Sequence, residues 1–500
     1  MEINFDSKDV MIYRELFHQV KSVQESTESV VPDTDDDISK IAAVQSAVLL
    51  KSKDVTPRGV LISGEATASL VYITETQDKV SFVKLSKSFT MEYEFPDMDE
   101  KALSQVKLSI VSAEARVINP RKVSVSFEIS GDLTCYIAEP LSVESGMPSS
   151  GTAGLHAKYE SVDVNVVNAV CEKTFTLSEQ FSFPLGKPKP SRIISANVEF
   201  VVNDTQLIGT KAMVKGNAEV SVSYLSDEVN YPLKTEFNTA FSQIVDIGEE
   251  SMDNCTVQPE LTGIYFDLAD SIGGDKLIDV EVHAVLQLCS RSSRQIVYVS
   301  DAYSNLMTSS CVKEKSQIKL VSDVRKVKLS ADERLNIMED CVDVLSLFVS
   351  KGRILQQQNK LKAVVHLDIV YRTGNGQLSS VRRTVEIESD WDAANFSISS
   401  VRLTDVYLRP DAQYLDCHMS LELNCIVYGC MEIEKLVSVS LNEDEVIPIE
   451  DFPTVSLVRC SGESLWELAK NYCSSVEKIK ASNSLEGDIC GRMILIPKSI

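Results

Sequence analysis

A strict alternation of small or apolar residues with polar ones occurs three times along the chain. In the first copy the small or apolar positions are Val60, Ile62, Gly64, Ala66, Ala68, Leu70 and Tyr72. In the second copy they are Ala212, Val214, Gly216, Ala218, Val220, Val222 and Tyr224, and in the third they are Leu361, Ala363, Val365, Leu367, Ile369 and Tyr371. A period of two is typical of a β-strand with one buried face and one wet face. The sequence therefore predicts three related strands.

The spacing of these copies indicates an internal repeat. Gly64 and Gly216 are 152 positions apart, as are Tyr72 and Tyr224, and Tyr371 follows Tyr224 by 147 positions. Phe89 and Phe241 each lie 17 positions after their tyrosine, so the match extends beyond one strand. The third copy has Ala363 in place of the glycine and Glu388 at the phenylalanine position. Near-constant spacing of a matched pattern predicts one domain type built three times.

The predicted fold class is mainly β, with three antiparallel β-rich repeat domains followed by a small α+β module of βααβ order. Residues 9–25 are predicted to be helical, because Val10, Tyr13, Leu16, Phe17 and Val20 follow a 3–4 spacing. The predicted organisation is an N-terminal helical lead-in (1–21), repeat one (22–140), a linker (141–173), repeat two (174–306), repeat three (315–442), an acidic linker (443–452) and the C-terminal module (453–498).

Turn chemistry predicts a hairpin in each repeat. Asn119-Pro-Arg-Lys122 separates two apolar-phased runs in repeat one, and the corresponding turns are predicted at 271–276 and 409–412. The linker is predicted to be flexible from its Pro-, Gly- and Ser-rich stretch, residues 140–157. The acidic run at 31–37 lacks the glycine and distal glutamate of an EF-hand loop, so a solvated loop is preferred over a calcium site.

The net charge and the cysteines limit the kinds of partner and the cellular location that are expected for this protein. The formal charge is −24, which disfavours nucleic-acid and anionic-membrane binding. The first residues show no secretory signal, and the longest apolar run, at 41–50, is shorter than the roughly 20 residues of a membrane span. Twelve cysteines form no CxxC pair, and Cys417 and Cys425 fall on the apolar phase of a strand. These features favour a reducing, cytoplasmic location.

The C-terminal module shows helix-start signals between two strand signals. Ser464 and Glu467 predict one capping box, and Ser474 and Glu477 predict a second. The segment Gly462-Glu-Ser-Leu-Trp-Glu-Leu-Ala-Lys-Asn-Tyr472, with Val476, Asn483, Ile489, Gly491 and Leu495-Ile-Pro497 at matching spacing, resembles a LysM domain. That resemblance implies a βααβ fold that binds N-acetylglucosamine polymers such as peptidoglycan or chitin. The sugar would lie in a shallow groove between two loops.

The resemblance nominates a set of ligand-binding residues in this chain. They are Gly462, Glu463, Ser464 and Leu465 from the first loop, and Asn483, Ser484, Leu485, Asp488 and Ile489 from the second. The module departs from the family at Arg459, which replaces an apolar strand residue, and at Cys490, where proline is common. Residues 453–498 carry six basic and five acidic residues, so the formal charge of +1 leaves −25 for the rest of the chain. A second interpretation is that these residues only cap and pack.

The three repeats followed by this module resemble the SipL family, whose repeats are called SPOCS domains. The resemblance implies a non-catalytic scaffold in the assembly of the bacterial endospore envelope, acting in the mother cell at the forespore surface. There the LysM module would contact the polymerising ATPase at the base of the spore coat. The alternative is a cell-wall protein that binds peptidoglycan or another N-acetylglucosamine polymer.

Motifs for catalysis are not visible in the sequence. Of the five histidines, His283, His366 and His418 fall on the polar phase of strands, His18 on the predicted helix and His156 in the linker. None has a serine or cysteine at an activating spacing, and no P-loop or GxSxG motif is present. The sequence therefore predicts no catalytic residues, no metal site and no cofactor, and a glycan hydrolase is the third-ranked hypothesis.

Overall fold

The three alternating stretches are the central strands of three-stranded sheets in the computed structural model. It describes residues 2–76, 79–96, 98–146, 154–248, 252–270, 275–447, 450, 453–483 and 489–498. Nearly all of them form β-strands in antiparallel sheets, which confirms the mainly-β prediction. In the first copy Val60, Ile62 and Leu70 are buried while Leu61 is exposed, so the predicted buried phase is also confirmed.

The same strand order recurs in three consecutive units. Unit one contains β2 (Asp6–Val30), β3 (Ile38–Thr56), β4 (Gly59–Thr74), β5 (Val80–Glu94), β6 (Leu103–Asn119) and β7 (Lys122–Gly146), and the short β1 (Glu2–Asn4) precedes it. Unit two contains β8 (Leu155–Ser182), β9 (Arg192–Ile208), β10 (Lys211–Ser226), β11 (Val229–Asp246), β12 (Asn254–Asp270) and β13 (Lys276–Ser304). Unit three contains β14 (Met307–Asn336), β15 (Cys341–Gln357), β16 (Lys360–Thr373), β17 (Leu378–Asp390), β18 (Phe396–Asp411) and β19 (Tyr414–Val446).

Each unit is a pair of packed sheets. The second, third and fourth strands form a meander sheet, in the orders β3-β4-β5, β9-β10-β11 and β15-β16-β17. The first strand and the final hairpin form a hairpin sheet, in the orders β2-β7-β6, β8-β13-β12 and β14-β19-β18, and the pairing of Tyr13 with Val167 joins the first two of these into one six-stranded sheet. Apolar residues of the two sheets share one core, as Leu70 with Phe127 in unit one and Leu367 with Leu421 in unit three. The domain boundaries drawn from the sequence remain predictions, because strand pairing alone does not define independently folding domains.

The recurring glycine and phenylalanine form a cross-strand pair. Gly64 lies opposite Phe89, and Gly216 lies opposite Phe241. A Cβ at Gly64 would lie 2.7 Å from a ring atom of Phe89 and 2.9 Å from the carbonyl oxygen of Leu49, so the ring fills the space above the glycine. In unit three Ala363 faces Ile387, which is fully buried. The residue at the phenylalanine position is therefore Ile387 and not the predicted Glu388, because the hairpin between these strands is one residue shorter.

The recurring tyrosines close the end of each meander sheet. Tyr72 and Tyr224 donate hydrogen bonds to the carbonyl oxygens of Asp36 and Pro188, each over 3.2 Å. Tyr371 instead donates to a carboxylate oxygen of Glu339 over 2.8 Å. All three rings are buried, and each hydroxyl reaches the connection that leads into its own meander sheet. A buried tyrosine needs such a partner, so one residue both packs the core and anchors the connection.

The predicted N-terminal helix is wrong. The segment forms strand β2, which pairs with β7 from Asp6 opposite Gly146 to Val30 opposite Lys122. A bulge between Glu15 and Phe17 shifts the phase of this strand. An extra residue in a strand breaks the period of two, and here it produces apolar spacings of three and four that imitate a helix.

The predicted linker at 141–173 is also mostly strand. Residues 141–146 belong to β7, and residues 155–173 belong to β8, which pairs along its length with β13. Val162, Val164 and Val166 alternate with polar residues, which is a strand signal. The linker prediction missed this signal because it was based on the composition of residues 140–157. At the far end, residues 443–446 of the predicted acidic linker belong to β19.

The predicted hairpin turns have different outcomes. The turn at Asn119–Lys122 is confirmed, and Arg121 donates to an Asp37 carboxylate oxygen over 2.7 Å and to the Asp35 carbonyl oxygen over 3.0 Å. The acidic run therefore forms a loop around Arg121. In unit three the turn lies at residues 412–413, because Pro410 continues edge strand β18, where a missing N–H is tolerated. Residues 271–274 of the middle turn lie outside the described residues.

The meander sheets of all three units meet in one apolar junction. Val71 of unit one, Ile194 of unit two and Val370 of unit three belong to a single buried cluster. Hydrogen bonds cross each boundary: Ser69 donates to the Ile194 carbonyl oxygen over 2.9 Å, and Val44 N–H donates to an Asp368 carboxylate oxygen over 3.0 Å. Between units two and three, the Ser346 hydroxyl donates to the Pro232 carbonyl oxygen. The units therefore pack together in a closed triangle.

Polar side chains join the hairpin sheets on the other side of the triangle. The fully buried Gln287 of unit two accepts a hydrogen bond from Val106 N–H over 2.9 Å and donates to the Val106 carbonyl oxygen over 2.7 Å. Lys107 of unit one donates to the carbonyl oxygens of Ile398 and Ser399 in unit three, over 3.0 and 3.1 Å. These bonds satisfy backbone groups of neighbouring units, so both sides of the triangle have specific contacts.

Candidate functional site in the C-terminal module

The C-terminal module has the predicted order of elements. It contains β20 (Val455–Arg459), α1 (Leu465–Asn471), α2 (Val476–Asn483) and β21 (Met493–Pro497), and β20 pairs antiparallel with β21. The buried cluster beneath the two strands includes Leu468, Ala469, Ile479, Ile494 and Ile496. Seven- and eight-residue helices are too short to be stable alone, so this cluster holds them in place.

The first capping box is confirmed. The Ser464 side chain accepts a hydrogen bond from Glu467 N–H, and the Glu467 carboxylate accepts from Ser464 N–H over 2.7 Å. Hydrogen bonds from the Ser464 backbone and side chain hold the pKa of Glu467 below its ordinary value. The second predicted capping box, Ser474 with Glu477, is wrong, because Ser474 donates to the Pro497 carbonyl oxygen. Ser475 accepts from Lys478 N–H instead, and a lysine at this position has no acceptor with which to complete a box.

The predicted groove residues of the first loop lie together at the start of α1. Gly462 and Ser464 are exposed, and Gly462 has a φ of 124°, a conformation that favours glycine. The Glu463 carboxylate accepts a hydrogen bond from Ser461 N–H over 2.6 Å, and Leu465 is half-buried against the module core. This loop therefore offers solvent-facing backbone at Gly462, while the Ser464 hydroxyl is already bonded within the cap.

The second predicted loop contributes less to an open groove. Asn483 donates to the carbonyl oxygens of Ile479 over 2.7 Å and Leu495 over 2.5 Å, and its side-chain oxygen accepts from Leu495 N–H over 2.7 Å. Both amide hydrogens of Asn483 are therefore used inside the module, where they fix the end of α2 to β21. Ile489 is half-buried against the core. Ser484, Leu485 and Asp488 lie outside the described residues.

The outer face of the β20–β21 sheet is apolar and exposed. Val455, Leu457, Met493 and Leu495 have 50, 59, 54 and 42% of their surface exposed, and Leu457 lies directly opposite Leu495. We call these four residues the apolar face. No motif in the sequence predicts it as a site. The available signal was that β21 is apolar on both phases (Met-Ile-Leu-Ile), although a two-stranded sheet can bury only one face.

Helix α1 attaches the module to the end of β13 in unit two. Trp466 Nε1 donates to an Asp301 carboxylate oxygen over 2.8 Å, and Lys470 pairs with Asp301 over 2.9 Å. Tyr303 donates to the Ser474 carbonyl oxygen over 2.7 Å, and its ring packs edge-on against Trp466 with centroids 4.9 Å apart. Because these contacts involve the helices, the apolar face on the opposite side of the module remains exposed.

The electrostatics of this attachment stabilise an ionised carboxylate. Burial alone would raise the pKa of Asp301, but the hydrogen bonds from Trp466 and Lys470 outweigh burial and the pKa is lowered. His156 stacks on Tyr303 with centroids 5.1 Å apart, and burial lowers the pKa of its imidazole. The Trp466 and Lys470 donors therefore favour the charged form of Asp301, whereas burial favours the neutral form of His156.

Elsewhere the histidines pair with nearby polar groups. His18 contacts Asp132, His283 contacts Glu281 and His418 contacts Asp332, each over 2.6 Å. Within the described residues, no group of three or more histidine, cysteine, aspartate or glutamate side chains is arranged to hold a metal ion.

Cys417 and Cys425 are buried, as their strand phase predicted. In the part of the chain that the structure describes, no helix has the length and apolarity needed to cross a bilayer.

The fold defines a class of protein: a chain of two-sheet β units followed by a small α+β module. Comparison with known families then shows that residues 189–269 match the SPOCS domain of SipL. This match covers the meander sheet of unit two and most of β12. No curated protein and no solved structure matches the chain. The LysM resemblance and the SPOCS character of units one and three remain predictions.

Proposed function

We propose that this protein is a non-catalytic scaffold of bacterial endospore envelope assembly, in which the C-terminal module binds a protein partner. The SPOCS match in unit two supports the link to sporulation. The matched family is not a known enzyme family. The scaffold would act in the mother cell at the forespore surface, and its partner would be the polymerising ATPase at the base of the coat.

The observation that carries the choice of partner is the apolar face. Four large apolar side chains on adjacent strands, led by Leu457 at 59% exposure, form the kind of patch that marks protein–protein contact. The neutral sugar of the LysM resemblance would instead need free polar groups in the groove. The Ser464 hydroxyl and the Asn483 amide are bonded inside the module, which leaves fewer such groups.

The second candidate function is binding of peptidoglycan or another N-acetylglucosamine polymer, in the cell wall. The exposed backbone at Gly462, held at positive φ, favours this alternative because a LysM-like groove recognises sugar largely through backbone groups. Both candidates use the same module, but they use different faces of it. This difference makes them separable by substitution.

The deciding experiment measures binding of the full chain to the purified coat ATPase and, separately, to purified peptidoglycan. A Leu457→Asp, Leu495→Asp double variant changes the apolar face only, and Met338→Asp, at a residue 79% exposed on unit three, is the matched control. The scaffold proposal expects at least tenfold weaker ATPase binding by the double variant alone. Pelleting of all three proteins with peptidoglycan, without ATPase binding, would support the wall-binding alternative and reject the scaffold.

The proposed process has its own test in a spore-forming host. Deletion of the gene is expected to leave vegetative growth unchanged and to produce spores with a detached or incomplete coat. The double variant at the apolar face should reproduce the coat defect at normal protein level, whereas Met338→Asp should not. Spores with an intact coat after deletion would overturn the proposal.

A further inference from the structure

The hairpin sheets of the three units enclose a central cavity of about 80 Å³. Its walls come from β2, β6 and β7 of unit one, β12 and β13 of unit two, and β14, β18 and β19 of unit three. A volume of this size can hold several water molecules or one small ion. The cavity lies where all three units meet, so an occupant would contact each of them.

Arg291 is the side chain that sets the chemistry of this cavity. Only 6% of its surface is exposed, and it lines the cavity from β13. One guanidinium nitrogen donates to the Thr256 hydroxyl over 3.1 Å, and across the described residues no carboxylate forms an ion pair with it. A guanidinium has five N–H donors and stays charged at any physiological pH. A buried cation of this kind normally has an anionic partner.

The other charges on the cavity wall do not supply that partner. Glu15 pairs with Lys319 over 2.7 Å, and Asp132 pairs with His18 over 2.6 Å. Lys107, the remaining lining cation, donates to the carbonyl oxygens of Ile398 and Ser399. Burial lowers the pKa of Lys107, and Glu260 and Asp132 are the carboxyl groups that favour its charged form. Among the described residues, Arg291 is therefore the buried cation of this wall that has no carboxylate partner.

Within the part of the chain that the structure describes, the buried carboxylate of Glu260, which lies outside the wall, does not pair with Arg291 either. Glu260 is buried, and it accepts hydrogen bonds from Gln258 over 3.2 Å and Leu108 N–H over 3.3 Å. Burial raises the pKa of Glu260 to about 7, so its charge is only partial near neutral pH. An anion from solution would therefore meet a site with unused donors and uncompensated positive charge.

We propose that this central cavity binds a small inorganic oxyanion, phosphate or sulfate, through the Arg291 guanidinium. The planar fork of an arginine matches two oxygens of a tetrahedral oxyanion. Such an anion would link the three hairpin sheets at their meeting point. This site is independent of the C-terminal module and of the proposed scaffold role.

Thermal unfolding of the full chain tests the proposal. Phosphate and sulfate, each titrated against chloride at equal ionic strength, are expected to raise Tm saturably in the wild type. Arg291→Gln should weaken the apparent affinity at least tenfold. Arg116→Gln, which removes the same charge from a side chain 83% exposed, should leave it unchanged. A rise of equal size in all three proteins, or no saturable rise in the wild type, would overturn the site.

A second measurement covers the case in which Arg291→Gln fails to fold. Crystals of the wild-type protein soaked in selenate should show an anomalous peak within hydrogen-bonding distance of the Arg291 guanidinium. Peaks confined to surface lysines, or an empty cavity at saturating selenate, would reject the proposal. Comparing the apparent affinities for phosphate and for sulfate in solution identifies which oxyanion is preferred. The two anions differ in that phosphate, unlike sulfate, can carry a proton at neutral pH.

Discussion

Unit three solves the same packing problem as units one and two with a different pair of residues. In the first two units a glycine leaves space that the facing phenylalanine fills, as Gly216 does with Phe241. In unit three the glycine is replaced by Ala363 and the phenylalanine by the smaller Ile387. A larger residue on one strand and a smaller residue on the facing strand keep the total side-chain volume similar. Cores tolerate such volume-conserving changes best. The cross-strand pair, and not the single position, is the feature that the three units share.

The three units also differ at the apolar junction. Asp368 of unit three occupies the position of Ser69 in unit one and Ser221 in unit two, three residues before the repeated tyrosine. Ser69 donates one hydrogen bond to the neighbouring unit, whereas Asp368 accepts from Val44 N–H and pairs with Arg382 over 2.8 Å. Unit three therefore holds its neighbour with a buried charge where unit one uses a neutral hydroxyl.

The largest effect is expected from Gly216→Ala. The new Cβ would lie 2.6 Å from the Phe241 ring and closer still to the Val201 carbonyl oxygen, which is fixed by strand pairing. Overpacking of this kind should lower the free energy of unfolding by about 3 kcal/mol. The free energy of unfolding is measured by urea denaturation, with far-ultraviolet circular dichroism as the signal. Ala363→Gly, the reverse change in unit three, is the control and should cost about 1 kcal/mol; equal losses would contradict the comparison.

A smaller effect is expected from Asp368→Ala. Removing the carboxylate leaves Val44 N–H without its acceptor and Arg382 without its counter-charge, so we expect a loss of about 2 kcal/mol. The matched change Ser69→Ala removes one neutral hydrogen bond and should cost about 1 kcal/mol. Both losses are read from denaturant midpoints under identical conditions. If Ser69→Ala proved the more damaging of the two, the charge would not be what distinguishes unit three.

Phe89→Ile should rescue part of the damage that Gly64→Ala causes. Together these changes give unit one the pair that unit three already has, so the double variant is expected to be about 1 kcal/mol more stable than the sum of the single losses. A double-mutant cycle on the full chain measures this coupling. Strict additivity would show that the two side chains do not share one space.

The smallest effect is a pH dependence carried by Asp368. Burial raises the pKa of its carboxyl, and Arg382 and Val44 N–H only partly offset burial. When the pKa of the carboxyl is higher in the folded state than in the unfolded state, its protonated form stabilises the fold at pH values below the unfolded pKa. This stabilisation is lost as the pH rises through the folded pKa. The stability of wild type relative to Asp368→Asn should therefore fall as pH rises from 4. The opposite slope would mean that pairing with Arg382 outweighs burial.

Much of the fold was predictable because it rests on local patterns. The buried phases of β4, β10 and β16 and the capping box at Ser464 and Glu467 were read correctly from spacing alone. The bulge near Leu16 was not predictable, since it depends on pairing with β7 more than a hundred residues away. The apolar junction left a signal in Val71 and Val370, which are apolar on the wet phase, but which units meet there is set by tertiary packing.

The local structure of the candidate site was predictable from the sequence, but the contacts of its side chains were not. The capping box let the sequence place Gly462, Glu463 and Ser464 just before α1 and Leu465 as its first residue, while their role as a groove stays a prediction. It could not show that the Asn483 amide bonds to the backbone of β21, since that contact depends on how α2 packs. Nor could it reveal the attachment to Asp301, which lies 165 positions before Trp466.

Strand β1 has a consequence for the timing of synthesis. Glu2 lies opposite Ser440 on β19, and Ile3 is buried in the cluster around Val439. The ribosome makes the two sides of this pairing 438 residues apart, at roughly 5–20 residues per second. The first strand therefore waits on the order of half a minute or more for its partner, because the sheet it joins is completed only after Ser440 has been made.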